Sequence, residues 1–237
     1  MQVVIQKVNR ISVDSFTLKM IAITAMVADH VGYLFFPQIM IFRIVGRLTL
    51  PIMAFLITEG YRRTRDVKRY MVRLGIFALI SMMPYHLVFQ HSYFNMLFDL
   101  LFGLITIYVS DMLDKEWKKW GVVLFFFIIA FLIGTDGALG ASVLVYLFHR
   151  YRNNFKKMTC AMVILYFLQV IGLVIMSIFT NNSNIIHNYT TWIRPFALCS
   201  LFLIYKYNGK RGKNIKYFFY VFYPGHLLIL YLIYKFI

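Results

Sequence analysis

Asp29 and His30 stand side by side near the far end of the apolar stretch LKMIAITAMVADHVGYLFFP. An ionisable group at the centre of a membrane-buried helix costs roughly 2.5–3.5 kcal/mol on insertion scales, so such residues face a cavity or a partner rather than lipid. Histidine is the natural proton carrier of the two, because its ordinary pKa of about 6.5 lies close to neutral pH. Other polar residues interrupt or edge the apolar runs in the same way: Arg43, Arg47, Glu59, Arg73, Tyr85, His86, Asn95, Asp99, Asp136, Arg194 and His226. Arg43 and Arg47, four residues apart, share one helix face. His30, Asp29, Arg47, Arg43, His226 and His86 are therefore the candidates for chemistry, and Glu59, Tyr85, Asn95, Asp99 and Asp136 the candidates for the polar wall around it. The plain alternative is that edge Arg and His extend toward the interface or serve helix packing. It weighs most on Arg194 and Asp136 and least on the Asp29–His30 and Arg43–Arg47 groups, which lie deep and come together.

The elements that carry these residues are membrane helices. Sixty-one per cent of the 237 residues are hydrophobic and only 14% are charged, and apolar runs of about 20 residues recur along the chain, the length that crosses a bilayer core. The fold class is all-α: a polytopic transmembrane helix bundle with nine spans, at about 18–36, 41–60, 70–89, 95–112, 120–134, 137–149, 158–180, 192–206 and 217–236. The fifth and sixth are short and read as two helices meeting at Gly134-Thr135-Asp136-Gly137. One integral-membrane domain covers 1–237, with 1–16 a cytoplasmic segment and no cleavable signal peptide expected.

Of the 25 basic residues, all but Arg43, Arg47, Arg194 and Lys235 fall before the first span or in alternate connections. The positive-inside rule then puts the N-terminus in the cytoplasm and the C-terminus outside. Topology alone explains the net charge of +16, so no nucleic-acid partner is expected. In this arrangement Asp29, His30, Arg43, Arg47, Tyr85, His86, Asn95, Asp99, Asp136 and Arg194 fall in the outer half, and Pro224-Gly225-His226 breaks the ninth helix near its middle. Together they outline a polar cavity open to the outside. The cytoplasmic run RRTRDVKR reads as a topogenic loop or, more sharply, as a phosphate-binding patch, since clustered arginines favour bidentate phosphate contacts. Cys160 and Cys199 read as small core residues, and the scattered histidines lack metal-ligand spacing.

The stretches LKMIAITAMVADHVGYLFFP, FRIVGRLTLPIMAFLITEGYRRTRDVKRYMVRLGIFALISMMPYHLVF and FNMLFDLLFGL resemble the TraX family. The DH pair, GR-x3-P-x3-F-x3-EG and R-L-x-x-F-x-x-I-S-x-x-P carry the likeness over residues 17–110, and YPGHLLIL adds to it. That family is named for the membrane protein that N-acetylates F-type pilin. The resemblance implies a multi-pass acyltransferase of the bacterial cytoplasmic membrane, with acetyl-CoA as donor substrate and no metal. Its acceptor would be a pilin-like protein, a peptide or an envelope glycan. It implies donor phosphates resting on Arg62, Arg63, Arg65, Lys68, Arg69 and Arg73. His30 would be the base that removes the acceptor's proton, with His226 and His86 in reserve. Consecutive helix residues point about 100° apart, so Asp29 is expected to pair with Arg43 or Arg47 rather than to orient His30. Two other classes stay open: a small-molecule or proton-coupled transporter, and a non-catalytic assembly factor for pili or peptides.

Overall fold

The computed structural model describes residues 12–90, 93–135, 140–182, 189–214 and 216–237. Among them the repeating structure is helix, with no strand and two isolated backbone bridges, Val13–Tyr207 and Phe94–Thr135. Helix α1 (Ser15–Phe35) begins on Asp14, whose carboxylate accepts from the Thr17 N–H at 2.7 Å. That hydrogen bond holds the Asp14 carboxyl below its ordinary range. The second apolar run folds as α2 (Met40–Gly46) and α3 (Thr49–Arg63), and the third as α4 (Val67–Ile80) and α5 (Met82–Phe89). A proline follows each break. Pro51 has no N–H for the Arg47 carbonyl and Pro84 none for that of Ile80, and each ring crowds the carbonyl four residues back.

Then come α6 (Met96–Asp111), α7 (Glu116–Ile133), α8 (Ala141–Arg150) and α9 (Phe155–Phe179). A single turn, α10 (Tyr189–Trp192), leads into a 3-10 helix (Arg194–Cys199), α11 (Ser200–Tyr205) and the last helix, α12 (Lys216–Phe236). Each of the nine apolar runs is thus helical. Five stretches are long and apolar enough to cross a membrane: Ser15–Phe35, Met40–Arg63, Val67–Phe89, Phe155–Phe179 and Tyr217–Phe236. The others are shorter or carry more charge. Helix α8 has only 10 residues, about 15 Å at 1.5 Å per residue. It is enclosed by α3, α6, α7 and α9 rather than set against lipid. Its residues from Leu144 to Phe148 are all buried, as expected of a short helix that is apolar on every side.

Helices α3, α6 and α8 pack against one another at the centre. Gly103 of α6 makes this possible, since a Cβ there would stand 2.6 Å from Cγ2 of Val145 on α8. Asn95 ties α6 to α4: its Oδ1 accepts from the Leu97 N–H at 3.1 Å and its Nδ2 donates to the Ala78 carbonyl at 2.8 Å. The outer face is a belt of exposed apolar side chains, among them Ile164, Phe167, Leu168, Ile171, Ile175 and Ile178 on α9.

Three expectations change. Pro224 lies inside a continuous α12 rather than breaking it; a membrane helix tolerates the one lost hydrogen bond where neighbouring groups cover the backbone. Cys160 and Cys199 are exposed on the outer surface, not in the core, because an apolar run supplies lipid-facing and core-facing positions alike. The second and third spans are each two helices. Helices α7 and α8 are separate, with Gly134 at φ +65° ending α7; Asp136 lies outside the described residues. Replacing Gly103 by Leu is expected to overpack the α6–α8 contact and cost about 1–3 kcal/mol, read as a lower unfolding midpoint in detergent.

Candidate functional site

One turn and a half from its C-terminal end, α1 presents Asp29 toward α2 and His30 toward α12. The Asp29 carboxylate binds the Arg43 guanidinium at 2.7 Å, with both side chains largely buried. Gly46 lets α2 approach this closely, since a Cβ there would run into the Asp29 carboxylate. The Arg43 guanidinium also lies over the Tyr33 ring, 5.6 Å from its centre.

His30 turns the other way. Its Nδ1 lies 3.0 Å from Nε2 of His226, with the two rings parallel to within 7°. The second nitrogen of His226, Nδ1, lies 2.9 Å from the Phe222 carbonyl. A carbonyl oxygen only accepts, so Nδ1 of His226 carries its proton, and in the neutral ring Nε2 is then the acceptor. His30 must donate from Nδ1, which leaves its Nε2 with the basic lone pair. Phe89 of α5 packs edge-on against the His30 ring at 5.1 Å. Both histidines are more than nine-tenths buried.

His30, Asp29, Arg43 and Arg47 line a cavity of about 130 Å³ together with Arg194, Tyr166, Gln169, Thr49 and Tyr223. Its wall is apolar elsewhere, built from Met26, Leu50, Met96, Leu144 and Ala197. Arg47 and Arg194 are both close enough to the Tyr166 hydroxyl to act on it electrostatically. Among the described lining residues the ionisable groups include guanidiniums, the Asp29 carboxylate and the His30 imidazole. This is a setting in which proton removal and the stabilisation of a developing oxyanion are both available. Among the described residues, no three of His, Cys, Asp or Glu meet as a metal site would require.

The remaining candidates lie elsewhere. His86 is exposed and its Nε2 meets the Tyr93 carbonyl at 3.2 Å, outside the cavity lining. Tyr85 is buried against Phe89. Asn95 caps α6, and Asp99 accepts from the Thr135 hydroxyl at 2.5 Å, joining α6 to the end of α7. Tyr166 and Gln169 escaped the sequence reading. Gln169 could have been noticed as the lone amide in the apolar run of α9, whereas Tyr166 is one of 17 tyrosines and carries no such signal.

The basic set gathers at the other end of α3. Glu59 is buried and accepts from Arg62 at 2.8 Å and Arg63 at 2.7 Å, with Arg152 at 3.4 Å and the Tyr207 hydroxyl at 3.2 Å. Burial pushes the Tyr207 phenol above its usual value. Arg65 and Lys68 are exposed, and Arg69 pairs with Asp66 at 2.9 Å. Arg73 stands apart from this group, its guanidinium 5.4 Å from the ring centres of both Tyr70 and Tyr220. From Arg47 to Arg62 the helix rise is about 22 Å.

Removing one partner of a largely buried ion pair leaves the other uncompensated. A double-mutant cycle on Asp29→Ala and Arg43→Ala, followed by unfolding in mixed micelles, is therefore expected to show a coupling of about 0.5–3 kcal/mol.

A family model described as TraX protein matches residues 15–234. The chain is also similar to the probable fimbrial assembly protein FimC, serogroup H1, of Dichelobacter nodosus. The two are 28% identical over 245 residues, which cover 94% of this chain and 96% of that protein. No solved structure matches. The match to the TraX model runs through α1, with its Asp29–His30 pair, as far as the His226-bearing α12, and the chain belongs to the TraX family.

Proposed function

We propose that this chain is a membrane acyltransferase, which moves an acetyl group from acetyl-CoA at the cytosolic face to an acceptor amine or hydroxyl reached from the outer side. The observation that carries the reading is the chain of contacts from the Phe222 carbonyl through His226 to His30. It fixes one tautomer of His30 and leaves Nε2 as a base beside a guanidinium-lined cavity. His30 Nε2 takes the proton of the acceptor N–H or O–H as the heteroatom attacks the thioester carbon. The C–S bond then breaks, and the CoA thiolate leaves and is protonated. Arg47, which lines the same cavity, offsets the charge that grows on the carbonyl oxygen.

The donor's phosphates would rest at the opposite end, on Arg62, Arg63, Arg65, Lys68 and Arg69. Arg62 and Arg63 each bind Glu59, and Arg63 also donates to the Tyr207 hydroxyl and the Gly209 carbonyl; a guanidinium offers five donors in all. Alternate placement of the basic loops supports a cytoplasmic N-terminus and a crossing by each of the nine apolar runs. The name of the Dichelobacter nodosus relative refers to fimbrial assembly, which favours a pilin-like protein as acceptor. The same name also supports a second reading, in which the chain assembles pili or peptides without catalysis.

The deciding experiment incubates the purified protein in lipid nanodiscs with radiolabelled acetyl-CoA and a pilin-containing membrane extract. Wild type is expected to transfer label, and His30→Ala to lose about 10²–10⁴-fold of that rate, the usual contribution of a positioned base. His226→Ala, which frees the tautomer without removing the base, is expected to lose less. Undiminished transfer by His30→Ala would sink the catalytic assignment, and no transfer by folded wild type would favour the assembly reading. Orientation is read separately, with Cys160 and Cys199 replaced by Ala and Lys68 by Cys. An impermeant maleimide is expected to reach that cysteine only after the cytosolic face is opened.

A further inference from the structure

Arg73 is a charge set inside the third apolar run, about 9 Å along α4 from its first residue. Its side chain runs back toward the helix start, as side chains on an α-helix do. The guanidinium lies 5.4 Å from the ring centres of both Tyr70 and Tyr220, and it donates to the Tyr220 hydroxyl. One turn further along, Phe77 stacks on the Tyr220 ring at 4.9 Å, where α4 packs against α12. These groups fix the guanidinium in place, but all of them are neutral. Its Nε is buried with no hydrogen-bond partner among the described residues, and no carboxylate among them pairs with it.

A guanidinium held by neutral groups within a membrane helix is costly unless an anion reaches it. Its position indicates which anion. Helices α4 and α12 both begin at the end of the bundle where Arg63 donates to the Gly209 carbonyl at 2.9 Å. Tyr70 and Tyr220 lie about 5–6 Å from those two helix starts, so the guanidinium between them sits in the interfacial layer of that leaflet. Val72 and Ile76 flank Arg73 on α4 and Val221 follows Tyr220 on α12, and all three are exposed, at 62%, 50% and 59%. Acyl chains suit such a surface, whereas a soluble phosphate or a nucleotide gains nothing from it. The described lining of the Arg47 cavity does not include Arg73. A headgroup of net negative charge leaves its phosphate free for the guanidinium, while a zwitterionic headgroup brings a competing cation of its own.

We infer that the seam between α4 and α12 is a binding site for an anionic phospholipid of the leaflet at this end of the bundle. The lipid phosphate rests on Arg73 beside the Tyr70 and Tyr220 rings, and the acyl chains run along Val72 and Ile76. A planar guanidinium offers paired donors matched to phosphate oxygens, and basic pockets between membrane helices recognise anionic headgroups in this way. Arg73 thus serves the membrane rather than the donor phosphates placed on Arg62–Arg69. The site stands whether or not the acyl-transfer reading holds.

The test places the full chain in nanodiscs of phosphatidylglycerol and phosphatidylcholine in equal parts, releases it in a native mass spectrometer, and counts the lipids that stay bound. Wild type is expected to retain phosphatidylglycerol over phosphatidylcholine by roughly fivefold, the preference that one basic residue supplies beside an anionic headgroup. Arg73→Gln is expected to lose it. Lys213→Gln removes one exposed charge from the loop before α12 and is expected to keep it, which separates this site from the general attraction of basic loops. Should Arg73→Gln fail to fold, Arg73→Lys keeps the charge without the planar fork and is expected to lower the preference. No preference in wild type, a preference untouched by the Arg73 changes, or one lost equally in Lys213→Gln overturns the site. A second arm follows thermal unfolding in phosphatidylcholine alone, with inorganic phosphate or CoA added at constant ionic strength. A ligand that binds the folded state alone raises the unfolding midpoint. Any such rise is expected to be the same in wild type and Arg73→Gln; a rise lost in Arg73→Gln gives the residue to a soluble phosphate and overturns the lipid assignment.

Discussion

A carboxylate drawn into a membrane bundle must find its cation within the bundle, because lipid offers neither water nor counterion. Acids are scarce in this chain, and several of them, the buried Glu59 and the exposed Asp111 and Glu116, each tie one element to another. Glu59 gathers Arg62 and Arg63 from its own helix and Arg152 from the connection after α8. Glu116, at the start of α7, receives Arg150, and Asp111, at the end of α6, receives His149 and the Tyr61 hydroxyl. The segment from His149 to Arg152 therefore reaches three acids on three helices. It holds the short central α8 in place although α8 is only 10 residues long.

At the other end Asp29 pairs with Arg43, and Arg43, Arg47 and Arg194 all line a cavity. One end of the bundle is thus a network of ion pairs, and the other keeps a polar space lined by guanidiniums. Pairing with solvent-shared partners contributes modestly to stability. Its larger effect here is positional, since it fixes which helix ends lie together.

Adjacent residues on one helix reach separate partners because the helix turns by about 100° per residue. Asp29 meets α2, which comes close only because Gly46 has no side chain, while His30 meets His226 on α12. The proton order of the two rings then follows from one backbone carbonyl, that of Phe222. The carbonyl lies four residues before His226, so an ordinary helical turn settles which nitrogen of His30 is basic. Pro224 sits within that turn without breaking it, and the geometry of α12 is continuous where the relay needs it.

Much of this was legible in the residues. Apolar run lengths determined an all-helical fold with helices long and apolar enough to cross a membrane, and the isolated charges within the runs pointed to Asp29, His30, Arg43, Arg47 and His226, because hydrophobicity and the cost of buried charge are local properties. The family motifs in the first three runs likewise needed no structure. What the tertiary structure decided was partnership. Sequence cannot say that His30 faces His226, 196 residues away, that Tyr166 and Gln169 complete the cavity, or that His86 and Arg73 stand apart from their expected companions. Nor does an apolar run reveal that α8 is wrapped by protein while Cys160 and Cys199 face outward. Which side of a helix meets a neighbour depends on where every other helix is packed, and that is a property of the whole bundle.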